Sequence, residues 1–199
     1  AKFVDQQCGS SMAAIHVGFM EIAMGYADIV MVAGMEHMTR VPMDGSLQKK
    51  GAISLNMRLF TEPAYKHWDM VTSTNMGLTA EKLFTQRGFT KEDMDRWGVR
   101  SHQLASKAYN EGFFKDEILP VEAEQADGKT LIVDRDQAVR DDATLEGMKD
   151  LKPAFKPDGV ITSGNSSPLN AAASSMILMT RETAKKKGIQ PMATIRSMG

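Results

Sequence analysis

Asp28 and Gly34 bracket a run of apolar, mostly branched residues, IVMVA at Ile29 to Ala33. A short continuous apolar run between turn formers reads as a strand buried on both faces, the habit of parallel sheets. Just before it, Met12, Ile15, Phe19, Ile22 and Ala23 recur at steps of three and four, the period of an amphipathic helix, which ends near Gly25. Lys2 to Gln7 (KFVDQQ) reads as a short extended segment. Strand, helix and strand within the first 34 residues predict a right-handed βαβ unit and an α/β fold.

From Met35 the texture changes. GMEHMTRVPMDGSLQKKG is rich in turn formers and charge and predicts a connecting excursion. Helices are expected over Thr74 to Gln86, and over Asp93 to Asn110 behind the capping-box-like Thr90-Lys91-Glu92-Asp93, closing at Gly112. Glu117 to Glu122 and Thr130 to Val133 flank Asp127-Gly128 as a hairpin, and Leu151 to Pro157 is a proline-bounded loop. Ala171 to Thr180 (AAASSMILMT) reads as a second buried strand, with a helix as the alternative. Arg181 to Lys187 predicts a short helix stopped by Gly188, and Ala193 to Ser197 a last strand. The middle third therefore reads as a cap inserted into an α/β sheet.

The totals are those of a globular chain of 199 residues, 42% hydrophobic and 25% charged. A formal net charge of −1 offers no electrostatic case for nucleic acid. No apolar run reaches the roughly 18 residues of a membrane helix, so no membrane insertion is expected. Sixteen methionines fit adaptable core filling better than a binding surface. A lone cysteine forms no internal disulfide and suits a reducing compartment, hence an expected place in the cytoplasm or an organelle matrix.

That cysteine, Cys8, stands between the extended run and the first helix, against Gly9-Ser10-Ser11. Thiols attack as thiolates, and a helix N-terminus favours the anion. Small residues at the junction permit a sharp turn whose backbone amides could hold an oxyanion. A buried structural sulfur fits the same residues. Local physics leaves both readings open. His16, eight residues on, is just over two helical turns from the thiol, too far to serve as its base. His37 follows the apolar strand and could equally line a pocket or face away. The carboxylates Glu92-Asp93-Asp95 and Asp141-Asp142 lack ordered His or Cys partners and read as solvated faces rather than metal ligands.

CGSSMAAIH, followed by VMVAGMEHMTRVPM, resembles the thiolase family, closest to its degradative 3-ketoacyl-CoA thiolases. The resemblance continues in order through NMGLTAEKL, KEDMDRWGVRSHQLA, GFFKDEILPV, RDDATLEGMKDLKPAF and ITSGNSSPLN. It implies a five-layered αβαβα fold of two similar halves, this chain supplying the second part of the first half with its inserted loop domain. Residues 1–40 and 161–199 would belong to the α/β half and 41–160 to the insert. It also implies that Cys8 is the acyl-accepting nucleophile of a 3-ketoacyl-CoA acyltransferase.

By the same resemblance Arg140 matches an arginine against the CoA nucleotide, with a solvated loop charge as the alternative. Ser167 matches a serine at the pantetheine amides, Phe155 and Leu169 apolar contacts along the tunnel, and Met76 a methionine beside the thioester. Plain packing remains open for Met76, Phe155 and Leu169. CoA would be a substrate, with no permanently bound cofactor. Expected partners are acyl-CoA, CoA and a second copy of the chain (as dimer or tetramer) or a further chain.

Some family features are not in these residues. The Gly-His-Pro, Cys-x-Gly and Asn-Glu-Ala-Phe motifs have no match, and are expected beyond Gly199. Asn75 replaces a histidine common in short-chain members, and Asn170-Ala171-Ala172-Ala173 replaces the usual Asn-Asp-Gly-Ala. A non-catalytic thiolase-like acyl-CoA-binding protein is the alternative reading, and a ketoacyl-synthase-type condensing enzyme fits the inserted region less well.

Overall fold

The computed structural model describes residues 1–38, 40–41 and 56–199. In chain order, its regular elements are α1 (Ser10–Ala23), β1 (Ile29–His37), α2 (Arg58–Thr61), α3 (Met70–Thr74), α4 (Met76–Arg87), α5 (Lys91–Asn110), β2 (Val121–Glu124), β3 (Thr130–Val133), α6 (Leu145–Lys149), β4 (Ala171–Met179) and α7 (Arg181–Lys186). Short 3-10 turns occupy Gln7–Gly9 and Pro63–Trp68. The chain divides into two compact units, Ala1–Ile53 with Leu169–Gly199, and Ser54–Pro168. The sequence expectation puts the insert at 41–160.

In the first unit β1 and β4 form a two-stranded antiparallel sheet, in register from Ile29 opposite Met179 to His37 opposite Ala171. The chain leaves this unit after β1 and returns beside the point of departure, where Met38 N–H donates to the Asn170 carbonyl. A strand that starts next to its partner's end can only run back along it, so the pairing is antiparallel rather than parallel. The first-strand expectation also changes: residues 1–6 carry no strand, and only the turn at Gln7–Gly9 precedes α1. No βαβ unit forms there among the described residues, because Lys2 to Gln7 has no strand partner.

Helix α1 covers one face of the sheet. Val32 is buried beneath it, while on the other face Met31, Met35 and Ile177 stand out, Met35 at 85% exposure. Neither strand is therefore buried on both faces. One helix can shield only one side of two strands. The methionines follow suit: Met148 joins the core, but Met12, Met20, Met24, Met31, Met35 and Met76 are exposed, contrary to the core-filling expectation. α7 ends before Gly188, whose φ of +66° a glycine adopts without strain. Ala193 to Ser197 is irregular rather than a strand.

The second unit is built on α5. Its start is a complete capping box: Thr90 N–H donates to Asp93 Oδ2 at 2.8 Å, and Asp93 N–H donates to Thr90 Oγ1 at 3.1 Å. Asn75 caps α4 by accepting from Leu78 N–H at 3.1 Å. β2 and β3 pair antiparallel across the Asp127-Gly128 turn, although β2 starts at Val121, later than the sequence pattern placed it. The proline-bounded loop turns back on itself through a single bridge between Pro153 and Thr162. The part of the connecting excursion at residues 39 and 42–55 lies outside the described residues.

Candidate active site

Cys8 sits in the turn immediately before α1, and its thiol is exposed. The burial that a structural sulfur would need is absent. The turn is held by short-range bonds. Ser10 Oγ donates to the Gln7 carbonyl at 2.7 Å and accepts from Gln6 N–H at 2.8 Å, and Gly9 N–H reaches the Gln6 carbonyl at 3.0 Å. Asp5 Oδ1 accepts from Gln7 N–H at 3.1 Å. These bonds hold Gln7 at φ +51°, a left-handed conformation that costs a non-glycine residue about 1–2 kcal/mol. The strained residue directly precedes Cys8.

The helix start is pressed onto the sheet at Gly34, where a Cβ would collide with Ser11 Oγ. A side chain at that strand position would force the Ser11 hydroxyl aside. His37 closes β1; its Nδ1 accepts from Arg40 N–H at 3.3 Å, so that nitrogen already holds the chain just beyond the strand. His16 lies half-buried along α1.

Of the other candidates, Leu169 belongs to the first unit and Met76, Arg140, Phe155 and Ser167 to the second. Met76 opens α4 and is exposed. The Phe155 ring lies against Gly77, so closely that a Cβ there would overlap it. The structure thus brings Phe155 onto the first turn of α4, beside Met76. Sequence reading passed over Gly77, and its only signal was a helix-weakening residue inside the first turn. Ser167 and Leu169 are exposed.

Arg140 lines a cavity of about 370 Å³ with His102, Asp142, Thr144, Ser163 and Gly164. Its backbone N–H donates to His102 Nδ1 at 3.2 Å, which assigns the ring's own proton to Nε2 while that bond stands. His102 was not among the sequence candidates; its signal was its place on the inward stripe of α5. That stripe holds both walls of the cavity. The first wall is the segment around Arg140. Tyr109 Oη accepts from Asp136 N–H at 2.8 Å, and its ring carries the Arg135 guanidinium at 4.7 Å. A hydrogen bond from the Ser106 hydroxyl, with Arg135 beside it, holds the Asp141 carboxyl below its ordinary range.

The second wall is the turn at 160–166. Asp95 on α5 is 2% exposed; its Oδ1 accepts from Asn165 Nδ2 at 2.9 Å and its Oδ2 from Lys91 Nζ at 2.6 Å. Asn165 also donates to the Val160 carbonyl at 3.0 Å and accepts from Thr162 N–H at 2.8 Å. Glu81 of α4, 5% exposed, takes Val160 N–H at 2.9 Å and Ile161 N–H at 2.8 Å on one oxygen. A Cβ at Gly98 would come within 2.6 Å of the Gly164 carbonyl, so α5 and the turn touch backbone to backbone. The solvated-face reading fails for Asp95, which is buried and paired. Asp141 and Asp142 are exposed, as that reading expects, although Asp142 lies at the edge of the cavity. No group of three or more His, Cys, Asp or Glu side chains among the described residues could hold a metal ion.

The chain is thus mixed helix and strand, with an exposed thiol in the turn that leads into α1. Known structures carry the same fold. An acetyl-CoA acetyltransferase from Syntrophomonas wolfei superposes with TM-score 0.75 at 29% identity, over 96% of this chain and 48% of that one. One from Bacillus anthracis gives 0.72 at 33% identity, over 94% and 48%. The chain belongs to the thiolase family: the family described as thiolase, N-terminal domain, matches residues 1–182. A 3-ketoacyl-CoA thiolase of Marinobacter nauticus is 40% identical over 199 residues, and one of Stutzerimonas stutzeri 42% over 196. These alignments take in 100% and 98% of this chain but 48% and 47% of the relatives, so the chain spans about half the length of the curated relatives it matches. No described helix is long and apolar enough to cross a membrane.

Proposed function

We propose that the whole protein is a 3-ketoacyl-CoA thiolase in which Cys8 is the acyl carrier. The observation that carries this reading is the exposed Cys8 in its strained turn before α1, within a thiolase chain. The Cys8 thiolate adds to the 3-keto carbon, and the bond between the second and third carbons breaks. Its electron pair leaves on acetyl-CoA as an enolate, which takes a proton. The thiol of a second CoA, losing its proton, attacks the acyl-cysteine thioester and returns Cys8 as thiolate. A thiol suits both steps, being a strong nucleophile and a good leaving group.

In this reading Arg140, with its guanidinium, pairs with CoA phosphates. Ser167 meets the pantetheine amides, and Met76, Phe155 and Leu169 line the acyl-pantetheine path. CoA is substrate rather than resident cofactor. The name shared by both curated relatives supports a degradative, β-oxidation role. The exposed face formed by Met31, Met35 and Ile177 supports association with another copy or chain, and the unpaired thiol supports a reducing compartment.

The test is mass spectrometry after brief exposure to acetoacetyl-CoA at neutral pH, with peptide mapping over residues 1–20 and Cys8→Ser as control. An acetyl adduct confined to Cys8 and lost in Cys8→Ser supports the reading. An acetyl adduct elsewhere, or none while CoA still binds, favours a thiolase-like acyl-CoA-binding protein instead.

A further inference from the structure

The buried polar groups of the second unit do more than hold a fold together. Lys91, Asp95, Gly98, His102 and Ser106 follow one another at helical spacing along a single stripe of α5. Gly98 and Asp95 meet the turn that supplies Ser163 and Gly164 to the cavity, and His102 meets the backbone of Arg140 on the other side. The separation of the two walls is thus set by one rigid helix.

Asn165 is the joint of this arrangement. Its amide spends both ends on the turn and on Asp95, so it ties Val160 and Thr162 to α5 at once. Lys91 completes the chain by donating from Nζ to the Met148 carbonyl at 3.0 Å, and Met148 too lines the cavity. Apolar contacts fix a distance only loosely, whereas a buried, fully satisfied hydrogen-bond network specifies one geometry. Among the described side chains no buried polar atom lacks a partner, so the network is complete as it stands.

We propose that Asp95 and Asn165 are positioning residues that set the width of the Arg140 cavity and thereby the affinity for the nucleotide end of CoA. The proposal rests on the CoA reading above, and the two fail differently. Neither residue needs to touch the ligand. Each acts through the placement of Ser163 and Gly164 opposite Arg140.

The experiment is calorimetric titration of the whole protein with CoA, repeated with adenosine 3′,5′-bisphosphate as a probe of the nucleotide end alone. Arg140→Ala is expected to raise Kd for both by about tenfold, the loss of one charge-assisted contact. Asn165→Ala is expected to do the same. The double variant should be no weaker than the weaker single one, because the arginine has no effect once its opposite wall has moved. Thr90→Ala, which loosens the start of α5 without reaching the cavity, is expected to leave Kd unchanged.

If Asn165→Ala does not fold, the exchanged pair decides. Asn165→Asp sets two carboxylates against each other, takes the donor from the Val160 carbonyl and weakens binding; adding Asp95→Asn restores the donor and acceptor between the two positions and recovers part of the affinity. A wild-type chain that binds neither CoA nor the bisphosphate overturns the CoA reading and the proposal together. A chain that binds both and weakens with Arg140→Ala, yet is indifferent to Asn165→Ala or unrescued by the exchange, overturns the positioning proposal alone. An Arg140→Ala variant that binds as well as wild type overturns the placing of CoA phosphates at Arg140 and the positioning proposal with it.

Discussion

The two units reach order by opposite means. In the first, α1 lies on β1 and β4 through apolar contacts around Val32, and the other sheet face is left with Met31, Met35 and Ile177 in the open. In the second, the best-buried residues include Thr162, Asp95, Glu81 and Ser106, and what they secure is irregular backbone. Apolar burial is non-directional and suits the stacking of a helix on a sheet. Loops lack that regularity, so directional hydrogen bonds from neighbouring helices have to set their path. The thiol turn borrows the same device on a small scale, with Ser10 and Asp5 bonding the backbone around Gln7.

The sharpest way to break this contrast is to remove a buried charge. Asp95→Ala leaves Lys91 and Asn165 facing a void and should cost the second unit about 3–5 kcal/mol in urea unfolding, the range for breaking a buried pair. A loss below about 1 kcal/mol would mean that apolar contacts carry this unit as well.

Next come two glycines placed at comparable contacts. Gly98→Ala drives a methyl into the Gly164 carbonyl, which is backbone and cannot turn aside, and is expected to cost about 1–3 kcal/mol. Gly34→Ala meets Ser11 Oγ, the end of a side chain that can rotate, and should cost less. Its clearer consequence is a changed rate of Cys8 alkylation by a small reagent, since the Ser11 side chain, at the start of α1 and close behind the thiol, has to turn aside. Equal stability losses in the two variants, with no change in alkylation, would erase the distinction between a backbone-bound and a side-chain-bound contact.

Smaller again is the helix cap. Thr90→Ala should lower stability by about 1 kcal/mol, the worth of an N-cap. The pH dependence has a definite sign. The Thr90 backbone N–H, with its hydroxyl, holds the Asp93 carboxyl below the ordinary carboxylate value. A carboxylate with a depressed folded pKa stabilises at pH above its unfolded value, about 3.9, and that stability drains away as pH falls through the folded value. Asp93→Asn is expected to flatten the stability profile in the acid limb below about pH 4 and to leave its slope near neutrality unchanged. Denaturant midpoints measured from pH 3 to 7 check this.

Local sequence determined α1, α4, α5 and α7 to within a few residues, while the short helices α2, α3 and α6 went unread. The steps of Met12, Ile15, Phe19 and Ile22 lie within α1, Thr90 and Asp93 form the capping box of α5, and the Asp127-Gly128 turn joins β2 to β3. Propensity, capping and turn chemistry act over a few residues, so a reader of the chain can find them. The strand at Ile29 to Ala33 was equally legible, but not its partner or its exposure, because pairing depends on where the chain returns more than 130 residues later. Cys8 and Arg140 were legible as candidates through the resemblance to a family. The stripe of α5 that braces the cavity was not. Asp95 and Asn165 stand 70 residues apart, and nothing in either local pattern distinguishes a buried, paired aspartate from a solvated one. Only tertiary structure brings such groups within 3 Å, and only there does water's absence turn an ordinary surface residue type into a fixed joint.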